Sequence, residues 1–181
     1  MYQFIKKLPI LDVKIKYDLE NEKPYNKNRV IALMIFLLRK INLRIGKEKY
    51  AKKNKSYGLC SLKKTHIKIK DDKVKFKFRA KSRQIANYEI KDDLIINELK
   101  LLIKLEGHKL FQYIKHDMIC KISDTDLNGY LQLHMGRQFT CKDFRTYASN
   151  YYFVKALIKE TKKHQPINDK IIKKNINKAV E

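Results

Sequence analysis

An α+β fold, mainly α-helical with a small antiparallel three-stranded sheet, is predicted by three observations. Apolar residues recur with helical spacing over most of the chain, while between residues 66 and 90 the period switches to two. The 181 residues are enough for one compact core without disulfides or metal.

Residues 1–27 read as a lead-in segment, with a short helix around Leu11–Leu19 ending at Pro24, and residues 28–181 as the domain proper. From Asn28, a candidate N-cap, to Leu43 the apolar residues occupy nearly every face, as in a helix surrounded by neighbours, and Gly46 can end it. Arg44 falls at the rim of that core. In residues 66–70 and 73–81 basic and apolar residues alternate around Asp71-Asp72, which predicts a hairpin with unlike faces. Ile67, Ile69, Val74, Phe76, Phe78 and Ala80 face the core, and Lys68, Lys70, Lys75, Lys77, Arg79 and Lys81 form a basic face. A third strand follows at Ile85–Ile90. Asp92 or Asp93 caps a helix with a stripe of Leu94, Ile95, Leu99, Leu102 and Ile103, closed near Gly107. Ser123 with Asp126, and Thr140 with Asp143, resemble capping boxes opening helices that run to about Met135 and Glu160. Pro166 starts a last helix.

Lysine and arginine number 42 against 19 acidic residues, a formal charge of +23. Nucleic acid is the partner such a charge favours, because each neutralised phosphate releases condensed counterions. A membrane surface or an acidic protein is the alternative. At 44% hydrophobic the chain is no disordered basic tail. Cys60, Cys120 and Cys141 are odd in number and lack C-x-x-C spacing, which fits a reducing, intracellular compartment and neither a disulfide framework nor a zinc site. The longest apolar run, Val30–Leu38, is about half the roughly 20 residues a membrane span requires.

The sequence has no G-x-x-x-x-G-K-[ST] loop, no G-x-G-x-x-G and no H-E-x-x-H, so ATP-driven and metal-dependent chemistry are not indicated. What remains is a set of cations: Arg44 after a buried helix, Lys81 on the hairpin and Arg145 in the first turn of a helix. Arginine's planar fork suits bidentate phosphate binding, and lysine, whose pKa falls with burial or neighbouring cations, can donate a proton. Each also has a plainer reading, as a rim arginine, a solvated lysine, and for Arg145 a structural salt bridge to Asp143.

Five segments taken together resemble the catalytic domain of type IB DNA topoisomerases, the compact enzymes of poxviruses, giant DNA viruses and bacteria. They are Leu43-Arg44-Ile45-Gly46 with Tyr50; Asn54-Lys55-Ser56-Tyr57-Gly58-Leu59 with Ser61-Leu62 and His66; Phe78-Arg79-Ala80-Lys81-Ser82; Asp126-Leu127-Asn128 with Tyr130-Leu131; and Thr140 to Tyr147. They occur in the family's order over residues 28–160.

The resemblance implies the helical catalytic fold shared by type IB topoisomerases and tyrosine recombinases. It also implies relaxation of supercoiled duplex DNA through a 3′-phosphotyrosyl intermediate, without metal, ATP or other cofactor. Arg44 and Arg145 would hold the phosphate, and Lys81 would protonate the leaving 5′ oxygen. Tyr50, Lys142, Lys47 and Lys49 would contact the DNA backbone, with Lys68, Lys75, Lys77 and Arg79 extending the basic surface. Ala80 stands where that family commonly has glycine. The family's catalytic histidine and nucleophilic tyrosine would fall beyond residue 181. His164 comes too early, and Tyr147, Tyr151 and Tyr152 read as helix-packing aromatics, so the expectation is a C-terminally incomplete domain without its amino-terminal β domain. A monomer on duplex DNA, in a viral factory or virion of an infected host cell, completes the expectation. A tyrosine recombinase or integrase, or an inactive basic DNA-binding remnant, is the alternative; His134-x-x-Arg137 imitates a recombinase signature by coincidence.

Overall fold

The computed structural model of the protein describes residues 1–163 and 169–180. Seven α-helices accompany two small sheets among them: α1 Tyr2–Asn21, α2 Lys27–Ile41, α3 Glu48–Asn54, β1 Ile67–Lys70, β2 Lys73–Arg79, β3 Ile85–Ile90, α4 Asp93–Lys104, β4 Gln112–Lys115, β5 Met118–Lys121, α5 Asp124–Met135, α6 Cys141–Thr161 and α7 Asp169–Val180. The mainly helical α+β class and the three-stranded antiparallel sheet β1-β2-β3 are as the sequence predicts. The β4–β5 hairpin is an addition, since Gln112-Tyr113-Ile114-Lys115 is too short for its alternation to stand out. Pro166 and His164 lie outside the described residues.

Helix α1 is twice as extensive as expected. Pro9, which removes one helical hydrogen bond, hides its first half from a propensity reading. The helix forms because Phe4, Leu8, Leu11, Ile15 and Leu19 recur every three or four residues and bury one stripe against α2 and α5. Phe4 meets Phe139 and Phe144 edge-on, with ring centroids 5.5 and 5.0 Å apart. At the same interface Asp18 is fully buried and accepts hydrogen bonds from Lys14 Nζ and the Tyr130 hydroxyl, both at 2.6 Å. Burial, then the Asp18 carboxylate, push the Tyr130 hydroxyl up, so it stays protonated and donating.

Helix α2 is capped by Asn26 rather than Asn28, whose own amide donates to the Asn26 side chain at 2.7 Å. Val30 to Leu38, Phe36 excepted, are buried on all sides. Arg29 clasps Glu98 of α4 with two hydrogen bonds of 2.9 and 2.5 Å, tying α2 to α4. On α4 the buried stripe is Ile95, Ile96, Leu99 and Leu102; Leu94 and Ile103 point to solvent, because the helix presents the face 95/99/102 to the sheet. In β1 and β2 the predicted alternation holds, with Val74, Phe76 and Phe78 buried and Lys68, Lys75 and Lys77 exposed.

The connection between α2 and β1 places several of the candidate site residues. Asn42, left-handed at φ 51° and ψ 37°, ends α2, so Gly46 is not the terminator. Gly46, at φ +68°, instead lies against Gly58: a Cβ on Gly46 would stand 2.5 Å from Gly58 Cα, and one on Gly58 would stand 2.6 Å from the Arg44 carbonyl oxygen. Leu59 N–H then donates to the Arg44 carbonyl at 2.9 Å and Cys60 N–H to that of Ile45 at 2.8 Å. Residues 46–58, which carry α3, therefore form a loop closed at its neck.

Gly46→Ala combines a left-handed non-glycine residue with a backbone clash, and urea unfolding is expected to show a loss of about 2–4 kcal/mol. Gly58→Ala, whose backbone is already extended, suffers the clash alone and should lose less. Tyr130→Phe deprives buried Asp18 of one charged hydrogen bond, an expected loss of about 1.5–3 kcal/mol by the same measurement.

Candidate nucleic-acid interface

Arg44, Arg79 and Lys81 meet because three backbone segments are stitched side by side. The 44–45 segment bonds to 59–60, and Tyr57 N–H donates to the Arg79 carbonyl at 2.7 Å, which brings the end of β2 to the neck of the 46–58 loop. After Arg79 the chain folds on itself, Ala80 N–H donating to the Gln84 carbonyl at 2.7 Å. Ser82 and Arg83 are both left-handed, at φ 60° and 62°, a conformation that costs non-glycine residues free energy and presents Lys81 on a tight protrusion. The result is an open cavity of about 810 Å³ lined by Arg44, Lys47, Tyr50, Arg79 and Lys81 among others.

Arg145, from α6, is not among the residues that line this cavity but approaches Arg44 at its edge. It is the fifth residue of that helix, one turn inside rather than in the first turn, and the opening amide of Cys141 is taken by Asn128 Oδ1 at 3.0 Å. The free amides of the helix start therefore contribute less than expected. The salt bridge to Asp143 does not form, because the Asp143 carboxylate accepts from Thr140 N–H at 2.8 Å and from its hydroxyl at 3.0 Å. Arg145 Nη1 donates instead to the carbonyl of Asn42 at 2.7 Å, which fixes the guanidinium two residues from Arg44. Burial first, then the Arg44 charge, lower the Arg145 guanidinium from its usual range. Two like charges side by side are unfavourable until an anion joins them. Among the described residues Arg44, Lys81 and Arg145 form no ion pair with a carboxylate.

The remaining candidates divide. Lys47 lines the cavity but is paired with Asp124 at 3.3 Å. Lys49 is exposed on α3, its ammonium 5.3 Å from the Tyr50 ring centroid. Lys142 is exposed in the first turn of α6, one turn before Arg145. Lys68, Lys75 and Lys77 lie away from the cavity on the outer face of the sheet, and Lys68 stands directly opposite Lys75. Lys75 is partly neutralised by Glu89 at 3.2 Å.

The sequence reading gave no site role to Lys53, Lys55, Tyr57 and Arg83, which also line the cavity, although Lys55 and Tyr57 fall within one of the five segments. The signal was available in the Lys52-to-Tyr57 run between two glycines, but nothing local says that those glycines touch. Tyr151 and Tyr152, expected to pack, are 51% and 59% exposed; past Phe144 no apolar residue of α6 is buried, and only Tyr147 reaches the core, beside Phe4. Among the described residues no three His, Cys, Asp or Glu side chains gather as a metal site, and no helix is long and apolar enough to cross a membrane.

The family model described as the catalytic core of eukaryotic DNA topoisomerase I matches residues 2–181. A DNA topoisomerase 1B of Acanthamoeba polyphaga mimivirus is 49% identical over 184 residues, covering 99% of this chain and 54% of its own length. A DNA topoisomerase 1 of rabbit fibroma virus (strain Kasza) is 29% identical over 98% of this chain and 54% of its own. The DNA topoisomerase 1B of vaccinia virus (strain Copenhagen) is 27% identical over 71% of this chain and 38% of its own. The chain spans about half the length of the first two relatives. With a family model that matches nearly every residue and a relative at this identity along its whole extent, the chain belongs to the DNA topoisomerase I catalytic-core family, with viral type IB enzymes among its relatives.

Proposed function

We propose that this chain provides the phosphate-binding and proton-donating residues of a type IB DNA topoisomerase acting on duplex DNA. The observation that carries the reading is the pair of neighbouring guanidiniums, Arg44 and Arg145, that no carboxylate neutralises among the described residues, beside a cavity that also holds Lys81. In the proposed reaction a tyrosine hydroxyl releases its proton to solvent as its oxygen attacks the phosphorus, forming a 3′-phosphotyrosyl bond while the bond from phosphorus to the 5′ oxygen breaks. Arg44 and Arg145 bind the nonbridging oxygens, where negative charge grows in the pentacoordinate transition state. The Lys81 ammonium passes its proton to the departing 5′ oxygen, and the reverse transfer accompanies religation. Strand rotation between the two steps relaxes the supercoil, so neither ATP nor metal is required.

Around that phosphate, Lys47, Lys49, Tyr50, Arg79 and Lys142 take neighbouring backbone positions, and Lys68, Lys75 and Lys77 meet the duplex farther out. Lys47 must leave Asp124 to do so, and Lys75 must share itself with Glu89, so both contribute less than the unpaired cations. The protein acts as a monomer in this reading, in an infected host cell. None of the segments carrying these residues supplies the nucleophilic tyrosine.

Duplex binding measured by fluorescence anisotropy should therefore weaken about 10³-fold between 50 and 200 mM salt, as for a protein neutralising about six phosphates. The same 181-residue chain is expected to leave supercoiled plasmid supercoiled; relaxation would identify a nucleophile among its own tyrosines. Preference for one target sequence with synaptic multimers would favour a recombinase, and salt-independent binding would remove the phosphate site altogether.

Arg44→Ala and Arg145→Ala are each expected to weaken duplex binding by about 10-fold, the size of one charge-assisted phosphate contact. Their combined loss should differ from the product of the single losses, because the two guanidiniums repel one another when no phosphate is bound. A neutral result for both would sink the reading.

A further inference from the structure

The 46–58 loop contains one carboxylate, Glu48, among Lys47, Lys49, Lys52, Lys53 and Lys55. In a surface meant to attract phosphate a carboxylate is a handicap, since it repels the polyanion. Its side chain faces away from that task. Both Glu48 oxygens accept from Lys109 Nζ, at 2.6 and 2.7 Å, and only 14% of the Lys109 side chain is exposed. Burial by itself pushes the Glu48 carboxyl up, but the Lys109 ammonium outweighs it and keeps the group ionised.

Lys109 is itself held in place. Lys64 N–H donates to the His108 carbonyl and Leu110 N–H to that of Leu62, both at 3.0 Å, so residues 108–110 run beside 62–64. That stretch continues directly from the 59–60 segment bonded to Arg44 and Ile45. The ion pair thus joins the loop to the same backbone frame that carries Arg44. Apart from the exposed Lys47–Asp124 pair at its N-cap, helix α3 has little else to hold it: seven residues, no side-chain cap, and Ala51 as its one buried residue. A helix so short does not persist unaided.

We propose that Glu48 and Lys109 are a positioning pair, which holds α3 so that Tyr50 and Lys53 form the wall of the cavity and Lys49 stands beside it. The inference rests on the reading of that cavity as a phosphate site. Electrostatics and positioning then make opposite forecasts for Glu48→Gln. Loss of a negative charge by itself tightens duplex binding, whereas loss of the tether loosens the wall and weakens it.

The test measures duplex affinity and amide hydrogen exchange over residues 47–57 for Glu48→Gln, Lys109→Met, Glu48→Lys, and Glu48→Lys combined with Lys109→Glu, each checked for a folded circular dichroism spectrum. Glu48→Gln should bind duplex about 10-fold more weakly and exchange α3 amides about 10-fold faster. Lys109→Met should follow it in exchange, and the charge-reversed pair should recover most of what Glu48→Lys loses. Binding equal to or tighter than that of the unaltered chain, or unchanged exchange, overturns the proposal. If the unaltered chain does not bind duplex, the phosphate-site reading fails, and the exchange rates still decide whether the pair holds α3.

Discussion

Two glycine backbones in contact set the geometry on which the site depends. Because Gly46 and Gly58 can approach more closely than any side chain permits, the chain crosses itself there, and the amides of Leu59 and Cys60 reach the carbonyls of Arg44 and Ile45. The crossing does two things at once. It aligns the segment bearing Arg44 with the one that bonds to Arg79 and so leads to Lys81, and it extrudes the lysine-rich loop between the glycines as a wall. A β-carbon at either position would force these segments apart, and the cations would separate with them.

Beyond the crossing, the electrostatic pattern separates cations that hold the fold from cations left available. Arg29 is spent on Glu98, Lys109 on Glu48 and Lys27 on Asp126. Arg44, Lys81 and Arg145 have no such partner among the described residues, although Arg145 is anchored by the Asn42 carbonyl. A neutral acceptor orients a guanidinium without cancelling its charge, which suits the phosphate-binding role proposed for Arg145. The left-handed pair Ser82 and Arg83 after Lys81 is a further cost borne at the same place.

Much of the architecture was readable in advance. The alternation of Lys68 to Arg79 specified two strands and the faces they present, and the Ser123 and Thr140 boxes opened α5 and α6 where expected. Pro9 masked half of α1, and the left-handed Asn42 ended α2 before the glycine that seemed made for it. At the site, the basic strand face divided: Arg79 turned toward the cavity while Lys68, Lys75 and Lys77 did not. The reason is position along β2, since only its last residue adjoins the loop neck.

What the sequence determined by itself is what repeats or caps locally: the periods of 3.6 and 2, the capping residues, and a charge of +23 that makes a polyanion the natural partner. Which cations meet was decided only by the tertiary structure. Arg145 and the Asn42 carbonyl are 103 residues apart, and Glu48 and Lys109 are 61 apart. No local pattern encodes such pairings, because they arise where separately folded segments share one core, and it is the packing of α2, α6 and the sheet that fixes the distance between them.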